Sequence, residues 1–295
     1  MTLSYQVIHR TVYRYEREVS PSFSLLRVFP RTLAHQRCRS SVIEVDPLPD
    51  DYRERVDFFG NRVAYCVIEA PHRSLSVTAV SVVDVDDPGA DRTSRERPWE
   101  QDRTAALVGP GESHPDAVAF TLDSPLVRCS PRVQEYAAAS FAAGRTTTDA
   151  VADLASRIHH DYAYQPGSTS VTTRLEEFFD QREGVCQDFA HLMIACLRSM
   201  GLAARYVSGY LETDPPPGRT KLEGADVSHA WVGVHLPGSG WVDVDPTNDQ
   251  FVNDRYVTNA WGRDYSDVAP LSGVIFTEGQ TASLEVSVDV AVVPG

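Results

Sequence analysis

Between Phe189 and Met200 the apolar residues Phe189, Ala190, Leu192, Met193, Cys196, Leu197 and Met200 recur at the spacing of one helix face. Gly201 is suited to end that helix. Gly184-Val185-Cys186 leads into it, so the pattern predicts a helix over 187–200 with a cysteine at its first turn. A helix N-terminus presents free backbone N–H groups and the positive end of the dipole, and both favour a thiolate. Most free cysteines are instead small buried hydrophobes. Position alone leaves Cys186 open between nucleophile and core residue.

A second pattern lies downstream. His229–Leu236 and Trp241–Asp245 read as strands, and Pro237-Gly238-Ser239-Gly240 turns between them. His229 opens the first strand; Asp245 closes the second, just before Pro246. A general-base histidine needs a partner to fix its tautomer and orientation. Hairpin geometry tests the pairing, because opposed residues share a face. With a strict two-residue turn, Val232 would oppose Asp245, and His229 and Asp245 would face opposite sides. An odd-length connection or a bulge puts them on one face. Asp243 has the same parity but sits closer to the turn. His235 has weaker context, and His159, His160 and His191 fall in expected helices and read as structural.

The rest of the chain sets the frame. Residues 1–90 carry short β-branched and aromatic runs at 5–15, 42–45, 62–68 and 75–85, separated by turn residues, and predict an antiparallel β domain. Residues 91–130 read as an irregular linker, 131–270 as a helix-and-strand core, and 271–295 as a terminal strand segment. Within the core, Pro131–Ala143 with Ser130 as cap, Thr148–Tyr162, and a short helix capped by Thr173 precede Cys186, and Arg205–Tyr210 follows as a strand.

Composition excludes several classes. A net charge of −14 opposes nucleic-acid binding. No apolar run approaches a membrane span, and no signal peptide is visible, so a cytoplasmic location is expected. The five cysteines are widely spaced without a CxxC, which disfavours a disulfide framework or a zinc site. No EF-hand loop, P-loop or dinucleotide fingerprint occurs, so no metal or cofactor is expected.

Four ordered blocks carry a resemblance: Gly-Val-Cys-Gln-Asp-Phe-Ala-His at 184–191, Ala-Arg-Tyr-Val-Ser-Gly-Tyr at 204–210, Ser-His-Ala-Trp-Val at 228–232, and Gly-Trp-Val-Asp-Val-Asp-Pro-Thr-Asn at 240–248. Together they resemble the bacterial transglutaminase-like family, as does Gly262–Val268, and the N-terminal β region is similar to that family's N-terminal domain. The resemblance implies an α+β fold: a papain-like core of helices around an antiparallel sheet, preceded by the β domain. It implies Cys186 as nucleophile, His229 as base and then acid, and Asp245 as the residue orienting it. The expected substrate is a protein or peptide, attacked at a carboxamide or peptide carbonyl. The resulting thioester would pass to water or to an acceptor amine. Backbone N–H groups at the helix start would hold the oxyanion. Gln181 is a weaker candidate donor, and Gln187 and Asp188 are as suited to helix-start structure. The alternatives are a cysteine peptidase or amidase with the same triad, a non-catalytic interaction module on the same fold, and, remotely, a zinc enzyme using His159 and His160.

Overall fold

A computed structural model describes residues 2–91, 97–108, 115–213, 228–276 and 282–294. The expected loops at Gly109-Pro110-Gly111 and Pro215-Pro216-Pro217-Gly218, and the single lysine Lys221, lie outside the described residues.

The N-terminal region holds six strands: β1 (Leu3–Val19), β2 (Ser22–Leu26), β3 (Gln36–Asp46), β4 (Asp51–Val56), β5 (Arg62–Ile68) and β6 (His72–Val85). Strand β4 falls where Pro49-Asp50-Asp51 reads as a turn. Its mostly exposed residues give no alternating apolar signal, and pairing with β5 is what makes it a strand. The expected irregular stretch contains helix α1 (Trp99–Val108) and short helical turns including α2 (Pro115–Val118). Trp99 holds α1 down: its indole donates to the Ala142 carbonyl and its ring packs on Phe141.

The core begins with α3 (Pro131–Ala138) and α4 (Thr147–Asp161). Ser130 caps α3 by accepting from the Val133 N–H, and Thr146 does the same for α4 with Asp149. Strand β7 (Ala163–Tyr164), α5 (Leu175–Gln181) and β8 (Glu183–Gly184) follow. Thr173 does not cap α5; its hydroxyl accepts from Ser170, and the Glu177 carboxylate reaches back to the Arg174 N–H instead.

Helix α6 (Cys186–Ser199) is the centre of the core. The expected single apolar face is only part of its burial, since every residue from Gln187 to Arg198 is buried. Helices α3, α4 and α5 pack on it, as do two strands of the sheet described next. Its one buried cation, Arg198, donates to the carbonyls of Phe120, Ala204 and Arg263 and to the Ser124 hydroxyl. Those bonds offset the cost of removing a guanidinium from water. Gly201 ends the helix with φ of +81°.

Five antiparallel strands form the core sheet: β9 (Ala204–Leu211), β10 (Ser228–Leu236), β11 (Gly240–Asp245), β12 (Gln250–Phe251) and β13 (Tyr256–Gly262), in the order β12-β11-β10-β9-β13. After α7 (Tyr265–Val268), the chain returns to the N-terminal region through β14 (Leu271–Ile275) and β15 (Ala282–Val292). The terminal segment completes two four-stranded sheets, β15-β1-β6-β3 and β14-β2-β5-β4. Leu26, Val28, Phe29, Cys66, Ile68, Leu75 and Val77 fill the space between them. Strands β14 and β15 each end their sheet.

Candidate active site

Cys186 is the first residue of α6 and is half-buried. The entry to the helix is tight. A Cβ on Gly184 would lie 2.7 Å from both the Asp188 carboxylate and the Phe178 ring, so only glycine fits there. Asp188 accepts from the Val185 N–H at 2.9 Å and from the Thr169 hydroxyl at 2.6 Å, which makes it a helix-start brace. Gln187 donates to the Val171 carbonyl. Gln181 is exposed at the end of α5 and does not line the cleft around Cys186.

The hairpin register settles the geometric condition on His229. Leu236 opposes Gly240 and Val232 opposes Val244, so the connection has three residues, 237–239. His229 and Asp245 therefore share a face, one diagonal step apart. The imidazole Nε2 lies 2.7 Å from Asp245 Oδ2. With Nε2 engaged, Nδ1 is the nitrogen left to face Cys186, which lines the same cleft and helps raise the ring.

Asp245 has no exposed surface. Its carboxylate is nevertheless well supplied with donors. The Thr247 and Asn248 N–H groups reach Oδ1 at 2.8 and 3.3 Å, and the Asn248 amide and Tyr256 hydroxyl reach Oδ2 at 2.7 Å each. Gln250 in turn donates to the Tyr256 oxygen. Burial alone would raise the Asp245 carboxyl, but His229 and these donors hold it below the ordinary range. Burial would likewise lower the His229 ring; the Asp245 charge, its hydrogen bond and Cys186 outweigh that and raise it. The arrangement favours an imidazolium beside a carboxylate.

The cleft at Cys186 and His229 has a volume of about 310 Å³. One wall comes from the core: Tyr164, Val171, Tyr206, Ser208 and Tyr265. The other comes from the N-terminal region and the returning strands: His9, Thr11, Tyr13, Leu271, Leu284 and Val286. A buried bridge fixes the two walls. His9 Nδ1 is 2.9 Å from the Tyr210 hydroxyl and Nε2 is 3.0 Å from the Thr11 hydroxyl, while burial pushes the ring down to about 4 and keeps it neutral.

The remaining histidines sit elsewhere. His191 is buried in α6, accepts from the Tyr265 N–H, and is pushed down to about 4 by burial. His235 stacks edge-on against Trp241, and His159 bonds to the Thr247 carbonyl. Among the described residues, no group of three His, Cys, Asp or Glu side chains is placed to hold a metal ion. Asp243, the other aspartate of β11, serves Arg205 and the Trp231 indole. Sequence reading missed Tyr256, Asn248 and the wall residues of β1 and β15. Asn248, three residues past Asp245, carried a local signal as an Asx-type side chain after Pro246; Tyr256 carried none.

Comparison with known proteins places this arrangement. Residues 5–84 match the bacterial transglutaminase-like N-terminal region, and residues 134–246 match the transglutaminase-like superfamily. An uncharacterised protein of Mycobacterium tuberculosis is 45% identical over 98% of this chain and 93% of its own length. One from Mycobacterium leprae is 34% identical, covering 97% of each. A protein-glutamine gamma-glutamyltransferase of Pseudomonas aeruginosa is 37% identical over 33% of this chain, which is 15% of that protein. A solved structure of a candidate cysteine protease from Cytophaga hutchinsonii shares the fold, with a TM-score of 0.77 at 22% identity over 100% of this chain and 92% of its own. The core is of the papain-like, transglutaminase-like type, and the N-terminal β region is the bacterial one.

Proposed function

This chain belongs to the transglutaminase-like superfamily, and from that premise we propose that it cleaves a carboxamide or peptide bond through Cys186, His229 and Asp245. The observation that carries the reading is the 2.7 Å contact between His229 Nε2 and the buried Asp245 carboxylate, with Cys186 lining the same cleft as the ring. With the thiol proton already held on the His229 imidazolium, the sulfur of Cys186 attacks the carbonyl carbon as the thiolate. The backbone N–H of Cys186 at the start of α6 faces the developing oxyanion. His229 then gives its proton to the departing amine, leaving a thioester on Cys186. An acceptor amine or water resolves the thioester, and His229 removes the proton of whichever attacks. Asp245 stays ionised throughout and holds the ring's orientation.

Replacing Cys186 with Ala should abolish turnover and thiol-selective labelling of the protein. Full activity in that variant would end the proposal. Transfer and hydrolysis separate by product: with glutamine peptides as donors, a transferase forms an amide with added amine, whereas a peptidase or amidase releases the acid at the same rate with or without it. The resemblance to the gamma-glutamyltransferase supports transfer, and it rests on a third of the chain.

A further inference from the structure

The cleft is closed on one side by β15, and among the described strands it pairs with β1 alone. Its register with β1 pairs Arg14 with Ser283, Val12 with Glu285 and Arg10 with Ser287, and runs on to Tyr5 and Val292. Beyond the last of these pairs, the Val293 N–H donates to the Ser4 carbonyl at 2.8 Å. In an antiparallel ladder, pairs that exchange both hydrogen bonds alternate with pairs that exchange none. Counting back from Ser4 and Val293, the odd-numbered residues of β15 spend their backbone groups on β1. The even-numbered residues turn their N–H and C=O away from β1, and at Leu284 and Val286 these groups face the open edge. Among the described residues nothing accepts or donates to those groups at Leu284 and Val286.

These two residues also line the cleft with Cys186 and His229, and they remain 55% and 47% exposed. Further along, Val288 and Val290 are buried against Tyr210 and Val257. The open stretch of edge therefore coincides with the stretch that borders the cleft. Leu271, at the start of β14, which ends the other sheet, lines the same cleft.

Cleft chemistry narrows the occupant. In a chain with net charge −14, none of the described residues that line the cleft is Asp, Glu, Lys or Arg. Tyr13, Tyr164, Tyr206, Tyr265, Val171, Leu271, Leu284 and Val286 dominate instead. Apart from the His229 ring, nothing among the described lining residues offers a charge to replace the hydration that an anionic or cationic side chain would lose there.

We propose that the substrate is an extended, unfolded polypeptide segment that adds as a strand to the open edge of β15 at Leu284 and Val286, presenting an uncharged side chain or bond to Cys186. The proposal rests on the reading of Cys186 as nucleophile. A strand added beside β15 places its alternate side chains on the face shared by Leu284 and Val286, the face on which the cleft opens. Main-chain bonds supply affinity without demanding sequence, and the apolar wall selects neutral neighbours of the reacting residue. An edge strand of a folded protein brings its whole sheet with it, whereas a flexible tail or unfolded segment can enter the cleft as a single strand, so such segments are the substrate class.

The test uses a fluorescently labelled heptapeptide with a central glutamine flanked by valine and leucine, and a series in which each backbone N–H in turn is methylated. Binding is measured by anisotropy to the Cys186→Ala variant, and turnover of the same peptides by the wild type. Methylation at every second position should weaken binding about tenfold, the scale of a lost hydrogen bond, while the intervening positions bind like the parent. Equal binding across the series, equal loss at all positions, or no binding of the parent would each overturn the edge-strand proposal. The two readings separate cleanly. Turnover without the alternation leaves the chemistry and removes the edge; alternation without turnover leaves the edge and removes the chemistry.

Discussion

Two aspartates stand two residues apart on β11 and point to the same face, yet their surroundings differ. Asp245 is completely buried and receives donors from His229, Tyr256, Asn248 and the backbone of the following turn, most at 2.7 to 2.8 Å. Asp243 keeps 12% of its side chain exposed and meets Arg205 at 3.6 Å, beyond hydrogen-bond range. Arg205 is held mainly by flat packing, with its guanidinium 4.3 Å from the Trp241 ring and 3.7 Å from that of Trp261. One pair is built for fixed orientation, the other for filling space. The difference shows that parity on a strand selects candidates for a histidine's partner, and the supply of donors around the carboxylate decides which candidate can serve.

The comparison breaks most readily at Asp245. Asp245→Ala should lower kcat by about a thousandfold, because the imidazole loses its orienting acceptor. It should also cost roughly 3 kcal/mol of stability by stranding several buried donors. Steady-state kinetics and denaturant titration measure the two. A variant with wild-type kcat would show that His229 needs no orienting carboxylate.

Next in size is Tyr256→Phe, which removes one donor to Asp245 and keeps the ring packing. We expect about a tenfold drop in kcat with KM little changed and a loss of roughly 1 kcal/mol. Since Tyr256 acts through Asp245, the pH profile of kcat should shift as well. An unshifted profile would reduce Tyr256 to a packing role.

The pH dependence of stability sharpens the contrast further. His229 in the folded chain titrates above its usual 6.5, so its contribution is complete below that pH and is lost as pH rises through the folded value near 10. Asp245 is held low, so its contribution is complete above about 3.9 and is lost as pH falls through the lower folded value. The Tm difference between wild type and Asp245→Asn should therefore peak between about pH 4 and 6.5 and shrink on both sides. A difference that grows steadily toward alkaline pH would refute the ion pair.

Asp243→Asn should have the smallest effect on turnover, within about twofold, since Asp243 touches Arg205 and Trp231 rather than His229. Its cost would appear in stability, at roughly 1–2 kcal/mol, because Arg205 stays buried and loses its counter-charge. A large loss of kcat would mean that the two ends of this sheet face are coupled.

Much of the site could be read from the residues. The helix start at Cys186, the strand opening on His229 and the Asp-Pro stop at 245–246 are local patterns with local causes. Strands such as Arg62–Ile68 were legible because their β-branched and aromatic residues form a short run bounded by turn residues. Strand β4 was not, because it is exposed, and α1 was not, because it is held by Trp99 against Ala142 and Phe141 rather than by its own periodicity.

Sequence by itself determined the class of fold, the order of the three central residues and the parity condition that Asp245 had to meet. Tertiary structure alone decided that the connection has three residues, that Nε2 rather than Nδ1 faces the carboxylate, and that Tyr256 completes its donor set. It also decided that β1 and β15, from opposite ends of the chain, form one wall of the cleft; His9 meets Tyr210 across 201 residues. Periodicity reports how each segment is buried, since neighbours in the chain share one geometry. It does not report which distant segment does the burying, because that is chosen by packing and register among surfaces that local residues cannot see.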